Sequence, residues 1–167
     1  MAVERNAGEP RRFAIEASGA ERAALARRFG LLSLDELRAE GTLETLDGGQ
    51  GALLTAGFAA KLSQACVVTL EPVAAIIEQE FTLEYAVAGA AAAVAEDIDI
   101  DVEAADPPEP LIDGTVDVGE AVAEQLALAL DPYPRAPGAR LALSQAPGEG
   151  KDSPFKALSG LIKKDKT

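Results

Sequence analysis

Cys66 is the only cysteine of the 167-residue chain, set in QACVVTLEPV (64–73), and the sequence contains no histidine. A thiol turns nucleophilic when a base or a positive field removes its proton, and an imidazole usually does this work. Neither a Cys–His nor a Ser–His pair can be built here. The neighbours Ala65, Val67 and Val68 are apolar. Apolar surroundings raise a thiol pKa, so Cys66 reads as an inert packing residue. A lone thiol also falls far short of the Cys and His ligand set of a structural zinc. Carboxylates are plentiful, 28 Asp and Glu against 15 Lys and Arg. However, EDIDIDVE (96–103) lacks the turn glycine and the spaced glutamate of a calcium loop. Neither a P-loop nor a GxGxxG phosphate cradle occurs, and the glycines of LDGGQG (46–51) belong to a turn. The expectation is a protein that is not an enzyme, with no catalytic residues, no metal and no cofactor.

The placement of charge says more than its sum. The net charge is −13, and between Lys61 and Arg135 there is no Lys or Arg, while that stretch holds sixteen carboxylates from Glu71 to Asp131. Residues 135–167 hold seven basic groups and three acidic ones. Such an acidic block repels phosphate backbones and suits basic partners. With five Phe, two Tyr and no Trp, platforms for stacking bases are scarce. The start, MAVERNAGEPRR, has no apolar leader core, and the uncharged run Tyr85–Ala95 is too short to span a bilayer. One cysteine forms no internal disulfide. A cytoplasmic location and no membrane partner are expected.

The elements around Cys66 follow from periodicity. Phe13–Ile15 reads as a strand. Ser18 and Glu21 have capping-box spacing for a helix through ERAALARR (21–28), which Gly30 stops. Ser33 and Glu36 repeat that spacing, but Leu37, Ala39, Gly41 and Leu43 then alternate with Arg38, Glu40, Thr42 and Glu44, which indicates a strand entered through a brief turn. LDGGQG supplies a hairpin, and the return strand buries Leu54, Ala56, Phe58, Ala60 and Leu62. A further strand sets Val73, Ala75, Ile77, Phe81, Leu83 and Tyr85 against Glu78, Glu80, Thr82 and Glu84. The fold class is α+β: an antiparallel sheet of three or more long strands, wet on one face, packed with a few short helices.

Residues 86–110, rich in Ala and acid, read as a mobile linker that the fold could lose, although Ile98, Ile100 and Val102 alternate as an edge strand would. Asp117 caps a helix over 118–130, with Glu120 placed to complete the cap and Val118, Val122, Leu126 and Leu130 on one face. Prolines 132 and 134 end it. The domain plan is a disordered 1–10, a single domain over 11–135, a linker over 136–152, and a C-terminal helix with basic tail over 153–167. In that last segment Phe155, Leu158 and Ile162 share one side, and the helix is too short to stand alone, so it must dock on the domain or on a partner.

The order of these pieces, QACVVTLEPV, a strand, an acidic linker, LIDGTVDVGEAVAEQLALALDPYPRAPG and SPFKAL, resembles the YceD family in its alphaproteobacterial form, roughly over residues 11–164. The most specific stretch is 113–134, and SPFKAL is similar to the family's Asn-Pro-Phe ending. Many members carry Cys-x-x-Cys where this chain has Cys66-Val-Val-Thr69, so the resemblance implies a metal or thiol pair that is lost here, leaving Cys66 structural. It also implies a factor supporting accumulation of 23S rRNA, hence assembly of the large ribosomal subunit, with no catalysis and no small-molecule substrate. The acidic middle then selects a basic ribosomal protein or rRNA-maturation factor as partner, with the 23S rRNA precursor as a second candidate. The expected contact residues are Asp117, Glu120, Glu124, Asp131, Pro132, Tyr133, Pro134 and Arg135. The alternative is a direct rRNA-binding or rRNA-processing protein, which would use the arginines of the first helix or the lysines of the tail.

Overall fold

The computed structural model describes residues 10–46, 49–87 and 108–140. The N-terminal segment 1–9, most of the expected 86–110 linker, residues 141–152 of the expected 136–152 linker and the expected C-terminal helix over 153–167 lie outside the described residues. In chain order the elements are β1 (Arg11–Glu16), α1 (Gly19–Phe29), β2 (Ser33–Leu46), β3 (Gly51–Ala65), β4 (Pro72–Val87), β5 (Glu109–Leu111) and α2 (Val118–Ala129).

Local signals set most of these bounds. The Ser18 hydroxyl accepts from the Glu21 N–H while the Glu21 carboxylate accepts from the Ser18 N–H, which satisfies two of the orphan donors at the start of α1. Gly30 closes the helix in the left-handed conformation at φ 67°. Gly49, at φ 96°, turns β2 into β3, pairing Leu46 with Gly51. The brief turn lies before Ser33, at residues 30–32, and not within 33–36. The strand starts at Ser33 with Leu34 paired to Leu62, and the irregularity is a register shift between Leu34 and Glu36. The capping spacing of Ser33 and Glu36 lost to burial, because Leu34 and Leu37 are both buried against the sheet's apolar side.

The strands form one sheet in the order β1-β2-β3-β4-β5. The first four pair antiparallel in sequence. β5 joins β4 parallel, with Tyr85 opposite Glu109 and Val87 opposite Leu111, so the sheet is mixed rather than antiparallel throughout. Both ends of the 86–110 segment are strand, because Ala86 and Val87 belong to β4 while Glu109 and Pro110 belong to β5.

Alternation sorts the sheet into two faces. Leu37, Ala39 and Leu43 from β2, Leu54, Ala56, Phe58, Ala60 and Leu62 from β3, and Phe81 from β4 are buried. They meet Val118, Ala121, Val122 and Leu126 of α2, with Leu25, Ala26 and Phe29 of α1 packed at the margin. Phe58 and Phe81 stack at a tilt, 6.3 Å between centroids. Gly41 sits in this layer, where a Cβ would collide with the Thr55 carbonyl oxygen and the Cα of Ala56. The opposite face carries Glu40, Glu44, Thr55, Glu78, Glu80 and Glu84, all exposed.

Candidate functional site

Where β3 ends, the chain turns through 66–71 into β4, and this turn is built around the Cys66 sulfur. The side chain is 0% exposed. Its Sγ accepts backbone N–H groups from Val68 and Thr69, each at 3.4 Å, and from Ala136 at 3.3 Å. Cys66 N–H donates to the Glu71 carbonyl, Leu70 N–H donates to the Cys66 carbonyl, and Val67 N–H donates to the Pro134 carbonyl at 2.9 Å. The Gln64 amide also donates to the Asp131 carbonyl. The segment that leaves α2 is therefore laced to the β3–β4 turn from both sides. Leu70 takes a left-handed φ of 63° to close the turn and is 77% exposed, so a leucine bears the backbone strain where glycine would be easier.

These donors reverse the expected electrostatics of the thiol. The Ala136 N–H is the largest influence, joined by Thr69 and Val68, and together they outweigh desolvation and hold the Cys66 thiol at about 7, below its ordinary 9.0. The apolar neighbours named in the sequence were expected to raise it. Hydrogen-bond donors decide instead, the Ala136 N–H first and the Thr69 side chain second, with the Thr69 and Val68 N–H groups adding to them. Thr69, at the position of the second cysteine of a Cys-x-x-Cys pair, turns its hydroxyl to the Glu71 carboxylate at 3.2 Å. Among the described residues no three His, Cys, Asp or Glu side chains converge as a metal site requires.

The acidic residues expected to meet a partner are divided by the fold. Asp117 caps α2, accepting from the Glu120 N–H at 3.0 Å. Glu120 does not return the bond. Its carboxylate takes both guanidinium nitrogens of Arg28, at 2.6 and 2.9 Å, and clasps α2 to α1. The hydrogen bonds and charge of Arg28 lower the Glu120 pKa, and Glu120 raises that of Arg28. Glu120 is thus an already partnered charge. Glu124 lies one turn on, exposed, and its field also reaches Arg28. Asp131, Pro132, Tyr133 and Arg135 are exposed, whereas Pro134 is buried and presents its carbonyl inward to Val67. Of the eight residues expected on this edge, Asp117, Glu124, Asp131, Pro132, Tyr133 and Arg135 are exposed without a side-chain ion pair among the described residues, Pro134 is buried, and Glu120 is paired with Arg28.

Tyr85 was read from sequence as sheet packing, and its phenol borders the acids of this edge. Burial, and then the charges of Glu124, Glu109 and Asp117, push its pKa up to about 12. That convergence of β4, β5 and α2 was hidden in the sequence, because it depends on the parallel placement of β5.

Residues 54–161 match the family described as large ribosomal RNA subunit accumulation protein YceD. No curated protein matches the chain. No solved structure does either.

Proposed function

Because the chain belongs to the YceD family of large ribosomal RNA subunit accumulation proteins, we propose that it supports accumulation of 23S rRNA and large-subunit assembly by binding a basic ribosomal protein or rRNA-maturation factor, without catalysing a reaction. The family match over 54–161, about two thirds of the chain, carries this reading. The choice of a protein partner over RNA rests on charge, since sixteen carboxylates lie between Lys61 and Arg135 with no cation among them. Glu124, Asp131 and Tyr133 stand exposed along α2 and the loop after it, with Tyr133 71% exposed and its N–H donated to the Asp131 carboxylate, an arrangement that suits an arginine- or lysine-rich segment. The site of action is the cytoplasm, where ribosomes assemble. No helix among the described residues is long and apolar enough to cross a membrane.

The test is complementation of a deletion strain by a Glu124→Lys, Tyr133→Ala double variant that melts as the parent does. Loss of 23S rRNA accumulation together with loss of a co-purifying basic protein is the expected outcome. Full complementation removes this edge from the mechanism. Binding of the purified chain to precursor rRNA that weakens steeply with salt overturns the protein-contact reading in favour of direct RNA contact.

A further inference from the structure

The face of the sheet turned away from α1 and α2 is shaped and charged to receive something. The registers place Arg38, Ala59 and Glu78 in one cross-strand row and Glu40, Gly57 and Glu80 in the next. Small residues on central β3 thus make a floor, and longer acidic side chains on β2 and β4 make the rails. The resulting trough measures about 830 Å³. Among the described residues Glu40, Glu78 and Glu80 have no ion pair: Arg38 and Lys61 are both held by Glu36, and Arg12 stands one row away from Glu40. Ile76, in the row beyond Ala59, is 70% exposed and extends the floor with apolar surface. Acids set side by side at the spacing of neighbouring rows repel one another until a cation enters.

We propose that this trough is the docking surface of the chain's own C-terminal segment, residues 151–166. The segment holds five of the chain's lysines, at 151, 156, 163, 164 and 166, against two acids, Asp152 and Asp165, and it carries Phe155, Leu158 and Ile162 as an apolar component. Lysines meet the rails and apolar side chains meet Ile76, Ala59 and Gly57. In the competing groove, between α1, α2 and β1, three of the four lining acids are already engaged: Glu21 by the cap of α1, Asp117 by the cap of α2 and Glu120 by Arg28. Reach is sufficient. The Val67–Pro134 hydrogen bond fixes the start of the departing chain beside the β3–β4 turn. From Pro72 at that turn to Glu78 is roughly 20 Å of strand, while the residues from Arg140 to Lys156 span roughly 50 Å when extended. The family match also continues through residue 161, so most of this segment belongs to the matched stretch.

Zero-length carbodiimide crosslinking of the full chain, mixed in equal parts as isotope-labelled and unlabelled protein, reads the contact directly. The expected result is linkage of Lys156, Lys163 or Lys164 to Glu40, Glu78 or Glu80 within a single copy. Reversing Glu78 and Glu80 to Lys should lower the remaining Glu40 linkage about fivefold, the scale of two lost surface charge pairs. Gly57→Phe, whose Cβ meets nothing closer than Glu80 Cγ at 3.6 Å, fills the floor without altering charge and should lower all three linkages. Linkages that fall mainly on Glu21, Asp117 or Glu124, linkages only between labelled and unlabelled copies, or an absence of linkage from the tail lysines each overturn the proposal. The unsubstituted protein alone decides between these outcomes, so instability of a variant leaves the test intact.

Discussion

At the scale of the single residue, Cys66 shows how far a side chain's neighbours in sequence differ from its neighbours in space. The absence of a base was legible at once, since a chain without histidine offers none. The donors were not, because Ala136 lies 70 positions away and its N–H carries no side-chain signature. The sign of the pH effect follows. A thiol at about 7 in the fold and at 9.0 when unperturbed favours the folded state only as a thiolate. That contribution is fully present above the unperturbed value, declines as pH falls toward 7, and is absent below it. Cys66→Ala should therefore widen its stability deficit relative to the parent as pH rises through this interval, with a constant deficit below it from lost packing. Thermal melts across the pH series check this, and a deficit that stays flat through the interval would remove the thiolate from the account. Glu120 teaches the converse lesson. Its place at the third position of α2 was readable, but a capping arm and an interhelical clasp compete for one carboxylate, and only the position of Arg28 settles which wins.

At the scale of the element, strong periodicity transferred well and direction did not. The two-residue alternation named the buried side chains of β2 and β3 and the inward face of β4, on which Phe81 alone is fully buried, because a one-residue slip would send the whole apolar set into water. The three residues of β5 are too few for a period, and their parallel pairing to β4 cannot be inferred from composition. The pairing changes what the intervening segment must do. A tight turn reverses a chain and delivers an antiparallel strand, whereas a parallel neighbour requires a connection that turns back twice. A connection of some length between Val87 and Pro108 is therefore required by the parallel pairing. Replacement of residues 88–107 by a Gly/Ser stretch of about a dozen residues should leave the melt within about 1 kcal/mol of the parent. Joining Val87 to Pro108 through two residues should strip β5 from the sheet and lower stability by several times that figure, through loss of buried Leu111 and Val116. Equal stability of the two variants would show that β5 contributes nothing to the fold.

At the scale of the whole molecule, one apolar layer lies between a sheet and two helices, with no buried polar or charged residue among those described. α2 is the lid of that layer, and Leu126, 0% exposed, is its deepest side chain. Leu126→Ala should cost about 2–5 kcal/mol and keep a single cooperative transition, measurable by denaturant unfolding. A biphasic curve would mean that helix and sheet unfold separately. The order of elements also has a temporal side. The four antiparallel strands that supply most of the inner face are complete once Val87 is made, yet the helix that covers them ends at Ala129. At translation rates of roughly 5–20 residues per second, those forty or so residues take about 2–8 s. Through that interval the nascent chain holds Leu54, Phe58 and Leu62 against water, with α1 reaching only the margin of their layer. The glutamates of the outer face are present from the start, and their mutual repulsion keeps two such unfinished sheets from meeting. A polypeptide halted between residues 87 and 129 is the form of this protein with most need of a chaperone.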